Sequence, residues 1–311
     1  MAYGSPRSID EVAPYFTDIR GGRTPSPEAV ETLVSKYASI GGPSRLNEIT
    51  ALQASALQQL LDTEHPQEYS VYVGMKHWHP FISESVAEMA QNGIEEFIGL
   101  VLAPHFSAKS IGEYEERVRD AVERTTPALS FHMVKSWYDE PEFVGFSAAT
   151  VTDALEGWEP EGTKVFFTAH SIPQRVVDEG DPYPSELETS ARLIAEAAGV
   201  SSWENCWQSA SSTGEPWIGP DILERLEDFA SSGGKRAVVA PIGFVSDHLE
   251  ILFDVDIECV DKAKELGIEL RRTRSPNDNS RFIGALGNIV VAAKKDSLGP
   301  SRTSRKETSA Q

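Results

Sequence analysis

The chain has 311 residues, enough to bury a substantial core and to make two α/β domains of ordinary size. Its 48 acidic against 28 basic residues give a formal net charge of −20, which argues against nucleic acid or anionic lipid as a partner. Cys206 and Cys259 are too few and too far apart for a disulfide framework or a four-thiolate cluster, no apolar run approaches a membrane span, and no charged-then-apolar leader opens the sequence, so a cytoplasmic protein is expected.

The opening is unusual for an α/β chain. Met1-Ala2 leads at once into Tyr3-Gly4-Ser5-Pro6, a turn of the kind that follows an apolar strand, so the first strand is expected to be stunted or to begin upstream of Met1. From residue 9 to 49, glycines and prolines punctuate short helical pieces, the pattern of a binding loop or lid. Within it, Arg20, Arg23, Lys36 and Arg45 stand against Glu28 and Glu31, a net charge of +2 in an acidic chain. That inversion suits an anionic ligand gripped by charge-assisted hydrogen bonds, and suits a solvated basic loop about as well.

Residues 46–61 read as a helix and 70–73 as a strand ending at GMKHWHP (74–80). The His77-x-His79 spacing offers too few ligands for a metal and reads as a wall. A helix over 82–92 stopped by Gly93, a strand over 97–103 ending at His105-Phe106-Ser107, a helix holding Tyr114, a strand over 130–134 and a proline-led helix over 141–155 follow. The Glu-, Pro- and Gly-rich 157–162 is the linker, and strand–helix alternation restarts beyond it. The expected organisation is therefore a lobe over 1–156 containing the loop region 9–49, a lobe over 157–293, and a disordered tail over 294–311.

In the second half, the apolar run 163–169 is closed by His170. A turn over 180–184, a helix over 186–198 and a strand end at 206–209 precede a cleft loop over 210–220, in which Trp217 either anchors the loop or stacks on a flat ligand. A second apolar run, 237–245, leads into Ser246-Asp247-His248 and a helix for which Ser246 or Asp247 is the expected N-cap. Glu250, Asp254 and Glu258 recur every four residues along one face of that helix, with Leu249, Ile251, Leu252 and Val255 opposite. Like charges at this spacing repel, so the row is either a solvated acidic face or a place for a cation. In an open parallel sheet the C-terminal strand ends line the ligand crevice, so His170 and Glu250 can meet there. An imidazole with a carboxylate can hold a borderline divalent metal or take up protons that a metal displaces. A short strand over 268–270 and a helix over 279–293 close the fold.

The phrases MAYGSP (1–6), IGG (40–42), GMKH (74–77), LAPHFS (102–107), TAHSIP (168–173), GDPY (180–183), WQS (207–209), PWIGPD (216–221) and GFVSDHLE (243–250) resemble ferrochelatases. More narrowly, the chain resembles the soluble coproporphyrin ferrochelatases of Gram-positive bacteria, in order from Met1 to about Ala293. The resemblance implies two Rossmann-like lobes with parallel sheets and a cleft between them, the chelatase fold. It implies an enzyme, a lyase of heme biosynthesis that inserts Fe²⁺ into coproporphyrin III, with His170 and Glu250 as the catalytic and metal-contacting pair. It implies porphyrin contacts at Tyr3, Arg20, Lys36, Tyr37, Ser44 and Tyr114, with Tyr3 facing the metal from the side opposite His170 and Glu250. Asp254 and Glu258 correspond to an outer path for a second divalent ion. The family's tandem arginine is reduced here to Arg20-Gly21, and Arg23 replaces it only if the loop bends suitably. No iron–sulfur cluster is expected, and neither nucleic acid nor an integral membrane segment. The expected partners are coproporphyrin III, Fe²⁺ and a downstream heme-pathway enzyme, the protein being a monomer. A protoporphyrin IX ferrochelatase and a non-catalytic tetrapyrrole or metal carrier on the same fold are the alternatives.

Overall fold

The computed structural model describes residues 1–125, 128–211 and 214–297. After a 3-10 turn (Ile9–Glu11) come α1 (Val12–Ile19), α2 (Pro27–Ser39), α3 (Leu46–Glu64), α4 (Ile82–Gln91), β1 (Glu96–Gly99), a π-helical turn (Ala108–Gly112) continuous with α5 (Glu113–Thr125), β2 (Ser130–Met133) and α6 (Pro141–Leu155). The second half contains β3 (Thr163–His170), α7 (Gln174–Asp178), α8 (Tyr183–Ala198), β4 (Trp203–Gln208), α9 (Ile222–Ser231), β5 (Arg236–Ala240), a π-helix (Glu250–Cys259), α10 (Val260–Leu266), β6 (Glu269–Arg272) and α11 (Ser280–Ser297).

The second half is a parallel four-stranded sheet in the order β4-β3-β5-β6. β3 is central and apolar on both faces because helices cover both. Phe167 packs with Leu187 and Ile194 of α8, while Phe166 packs with Leu226 of α9 and with Val255 and Cys259 of the π-helix. Local chemistry sets the helix ends. Pro27 and Pro141 open α2 and α6, with Ser26 and Glu140 accepting from the backbone N–H of Ala29 and Phe143. Gly199 and Gly267, at φ 68° and 71°, close α8 and α10 in the left-handed conformation.

The first half is thinner. β1 and β2 form a parallel pair, and the segment 70–74, expected as a strand over 70–73, lies extended without a paired neighbour along most of its length. The strand expected over 97–103 is paired only over Glu96–Gly99. Met1 and Ala2 touch both segments: Ala2 N–H donates to Gly74 O at 3.1 Å, and Leu102 N–H donates to Met1 O at 2.9 Å. α11 joins the halves by packing on α3 and α6, in a cluster that includes Leu61, Trp137, Phe143, Phe282 and Leu286. This helix runs to Ser297, so the tail expected from residue 294 begins as helix; residues 298–311 lie outside the described part.

Candidate active site

β3 delivers His170 at its C-terminal end. After β5, Gly243 turns the chain across β3, its N–H donating to Thr168 O at 3.1 Å; a Cβ there would sit 2.8 Å from Ala169 Cα, so only glycine permits the crossing. The chain that leaves this crossing reaches Glu250. Gln208, at the end of β4, fixes it in place: its Nε2 donates to Glu250 O at 3.1 Å while its Oε1 accepts from Thr168 Oγ1 at 2.8 Å.

His170 Nε2 lies 3.8 Å from Glu250 Oε1, and His248 Nε2 lies 3.6 Å from Glu250 Oε2. Each imidazole spends Nδ1 on a backbone carbonyl, His170 on Ser171 O at 2.5 Å and His248 on Ser246 O at 2.9 Å. A carbonyl only accepts, so each Nδ1 carries the hydrogen. In the neutral imidazole the lone pair is then on Nε2, facing the carboxylate. The two imidazoles thus converge on the Glu250 carboxylate, one at each oxygen. Burial pushes the Glu250 pKa up, but His170 and then His248 outweigh it and hold the carboxyl at about 2. Burial pushes the His248 pKa down, and Glu250 outweighs it in turn, leaving it above the usual imidazole value.

The acidic row departs from its expected form. Glu250–Cys259 is wound as a π-helix, with hydrogen bonds reaching five residues back, so residues four apart fall short of a full turn. Asp254 is 8% exposed, accepts from Ser209 Oγ, and pairs with Lys36 Nζ at 3.3 Å, while Glu258 is exposed. Burial, with the Glu250 charge adding, raises the Asp254 pKa. Ser209 holds a left-handed φ of 63°, a conformation that non-glycine residues rarely adopt. Neither Ser246 nor Asp247 is an N-cap. The helical segment starts without a side-chain cap, and Asp247 instead accepts from Ser275 and Asn277 and pairs with Arg272 at 3.2 Å.

The opposite wall comes from the first half. Tyr3 is 39% exposed and lies against His77, ring centroids 4.5 Å apart. Desolvation and then the Glu250 charge push its phenol pKa up. His77 Nδ1 contacts Asp18 Oδ2 at 2.7 Å, and Lys76 pairs with Glu113 at 2.6 Å beneath the rings of Tyr3 and Tyr114. Tyr37, Tyr114 and Ser44 are buried: Tyr37 OH is 3.4 Å from Ser5 Oγ, and Ser44 Oγ accepts from Leu46 N–H at the start of α3. Arg20 is exposed at the end of α1. Gly21 and Gly22, at φ 65° and 85°, turn the loop so that Arg23 Nε donates to Arg20 O at 3.2 Å. Among the described residues neither arginine has an ion-pair partner, whereas Arg45 is paired with Glu48 and Lys36 with Asp254. Trp217 sits 6.0 Å from the His170 ring, on a loop held by Ile218 N–H to Ile172 O and by Gln174 N–H to Pro216 O.

Sequence reasoning left out His248, Gln208, Ser209 and the Asp18–His77 pair. His248 lies two residues before Glu250 in GFVSDHLE, a signal available in the sequence. The others depend on contacts 40 to 59 residues apart. Among the described residues no group of three or more His, Cys, Asp or Glu side chains is set to hold a metal ion. The buried thiols of Cys206 and Cys259 have pKa values raised by burial.

The profile of the family described as Ferrochelatase matches residues 1–294. The chain is 45% identical over 294 residues to a protein of Herpetosiphon aurantiacus named Ferrochelatase, covering 94% of this chain and 96% of that one. It is 41% identical over 296 residues to the Coproporphyrin III ferrochelatase of Bacillus subtilis, covering 94% and 95%. Among solved structures, SirB from Bacillus subtilis with Fe³⁺ shares the fold, with a TM-score of 0.59 at 14% identity over 80% of this chain and 92% of that one.

Proposed function

Since the chain belongs to the ferrochelatase family, lyases that insert Fe²⁺ into a porphyrin, we propose that its porphyrin is coproporphyrin III and that His170 and Glu250 carry the insertion. The observation behind the residue assignment is the convergence of His170 Nε2, at the end of β3, and Glu250 Oε1, at the start of the π-helix, at 3.8 Å, with His170 Nδ1 held by Ser171 O. Insertion replaces two pyrrole protons with Fe²⁺ and releases two H⁺. His170 Nε2 offers a borderline ligand to the incoming ion as it sheds water, and Glu250, ionised at neutral pH, takes a pyrrole proton and passes it to His248 or to solvent. Tyr3 meets the macrocycle from the other side. Asp254 and Glu258 attract the hydrated ion, or a second divalent ion, and Lys36 holds the Asp254 end as a tethered cation until a metal displaces it.

The substrate reading is supported by relatives named coproporphyrin III ferrochelatase at about 41% identity and by Arg20 and Arg23, two guanidinium groups free of ion-pair partners among the described residues. Coproporphyrin carries four propionates where protoporphyrin IX has two and two vinyl groups, so cations at the rim favour the former. A downstream heme-pathway enzyme receives the product from a monomeric, cytoplasmic protein; no helix of the described residues is long and apolar enough to cross a membrane. The test is an iron-insertion assay with coproporphyrin III and protoporphyrin IX side by side. A higher kcat/KM for protoporphyrin at both low and high salt removes the coproporphyrin assignment.

A further inference from the structure

The last residue of β6, Arg272, has a side chain only 17% exposed and commits its guanidinium to two carboxylates of one segment. Its Nε and Nη2 donate to Asp256 Oδ1 and Oδ2 at 2.6 and 3.0 Å, a bidentate pair. Its Nη1 lies 3.2 Å from Asp247 Oδ1 and donates to Thr273 O at 3.0 Å. Asp247 precedes Glu250 and Asp256 follows it, so one side chain grips both ends of the stretch that carries His248 and Glu250.

The loop after β6 is tied to the same stretch. Ser275 Oγ and Asn277 Nδ2 donate to the two Asp247 oxygens at 2.8 Å each, and the Asp247 N–H donates to Asn277 Oδ1 at 2.9 Å. Asn277 takes a left-handed φ of 45°, and its N–H donates to Val245 O at 2.9 Å. From α3, the buried Gln53 donates from Nε2 to Asn277 O at 2.9 Å and to Ser246 Oγ at 3.2 Å. Residues 245–247 and 275–277 are thus fastened together by both backbone and side chains, with Arg272 the link from this knot to the π-helix.

We infer that Arg272 is a positioning residue for insertion, which sets where Glu250 stands relative to His170 by gripping Asp247 and Asp256. It acts through these two carboxylates rather than on the substrate, and the inference rests on the assignment of Glu250 to the chemistry. Taking three charges largely out of water offsets much of their mutual attraction, so such a triad adds little net stability while fixing geometry. The planar fork of an arginine serves Asp256 with one edge and Asp247 with another nitrogen, whereas the single ammonium of a lysine is a point charge that cannot match both. A reacting group displaced by about 1 Å costs on the order of a hundredfold in rate, which is how a residue remote from the metal controls the chemistry.

The test measures insertion rate at saturating Fe²⁺ and porphyrin, porphyrin affinity by fluorescence quenching, and Tm for Arg272→Gln, Arg272→Lys and Asp256→Asn. Lys164→Met, which breaks the Lys164–Glu204 pair near the other end of β3 from His170, is the stability control. Arg272→Gln is expected to lower the rate roughly 10- to 100-fold with porphyrin affinity changed less than about threefold. Arg272→Lys is expected to recover part of that loss, Asp256→Asn to lose rate in the same way, and Lys164→Met to lower Tm with its rate unchanged. A rate for Arg272→Gln within about twofold of the parent, equal losses of rate and affinity, or a matching rate loss in Lys164→Met overturns the inference. Should Arg272→Gln not fold, Arg272→Lys and Asp256→Asn decide it by the same criteria. Glu250→Gln, measured alongside, separates the two assignments: retained turnover removes Glu250 from the chemistry and the inference with it, whereas lost turnover beside an unimpaired Arg272→Gln removes the inference alone.

Discussion

On the proposed assignment His170 and Glu250 divide the insertion chemistry between them. The imidazole of His170 is held through Nδ1 by Ser171 O, and His170 and His248 hold the Glu250 carboxyl below its ordinary value against the cost of burial. His170→Ala is expected to lower kcat for insertion at least a hundredfold while porphyrin affinity changes less than threefold, because one nitrogen serves the metal and many contacts hold the ring. Fluorescence quenching of the porphyrin and single-turnover insertion separate the two effects. Glu250→Gln keeps the shape and removes the charge and the base, so a comparable loss in kcat is expected. Retention of most turnover by either variant removes that residue from the chemistry.

At the scale of elements, the π-helix and α2 are joined by the Lys36–Asp254 pair, with the Lys36 ammonium also 4.5 Å from the Phe253 ring centroid. Lys36 of α2 therefore presents a cation to the acidic row, and on the proposed reading a metal entering along the row would displace it. Asp254→Asn and Glu258→Gln are expected to lower insertion several-fold at low Fe²⁺ and to approach the parent rate at saturating metal, since attraction along a path affects capture more than the chemical step. Equal losses at saturating Fe²⁺ place these carboxylates in the chemistry instead. The turn at Gly21-Gly22 presents Arg20 and Arg23 together. A charge-assisted hydrogen bond contributes about 1.5–3 kcal/mol, so Arg20→Gln is expected to weaken coproporphyrin binding roughly tenfold and protoporphyrin IX less, with the difference shrinking in raised salt. Titrations of both porphyrins at two ionic strengths measure this directly.

The molecule as a whole contains a buried histidine that makes it sensitive to acid. His105 packs against the rings of Tyr138 and Tyr183, with no hydrogen-bond partner for either ring nitrogen among the described residues, and burial pulls its pKa down to about 3. The folded state therefore favours the neutral ring. Its contribution is complete above the unfolded value of 6.5 and is lost as pH falls from there towards 3, at about 1.4 kcal/mol per pH unit. A plot of Tm against pH should fall below pH 6.5 less steeply for His105→Phe, which keeps the ring stack and removes the titrating group, than for the parent. Superimposable slopes refute the assignment of this acid sensitivity to His105.

Periodicity and composition were enough to place the apolar runs that became β3 and β5, the proline-led helix α6 and most of α8, because a buried parallel strand and a proline-led helix leave marks within a few residues. The nearness of His170 and Glu250 was also legible, since each follows a buried strand and parallel strand ends converge on one side of a sheet. The winding of Glu250–Cys259 was not: its carboxylate spacing suits an α-helix, and only the anchoring of Glu250 O by Gln208 and of Asp254 by Ser209 and Lys36 accompanies the π form. The segment 70–73, read as a strand from its apolar residues, has no ladder among the described residues. A strand is completed by its neighbours, and whether backbone groups find partners across a sheet is decided by residues far away in the chain.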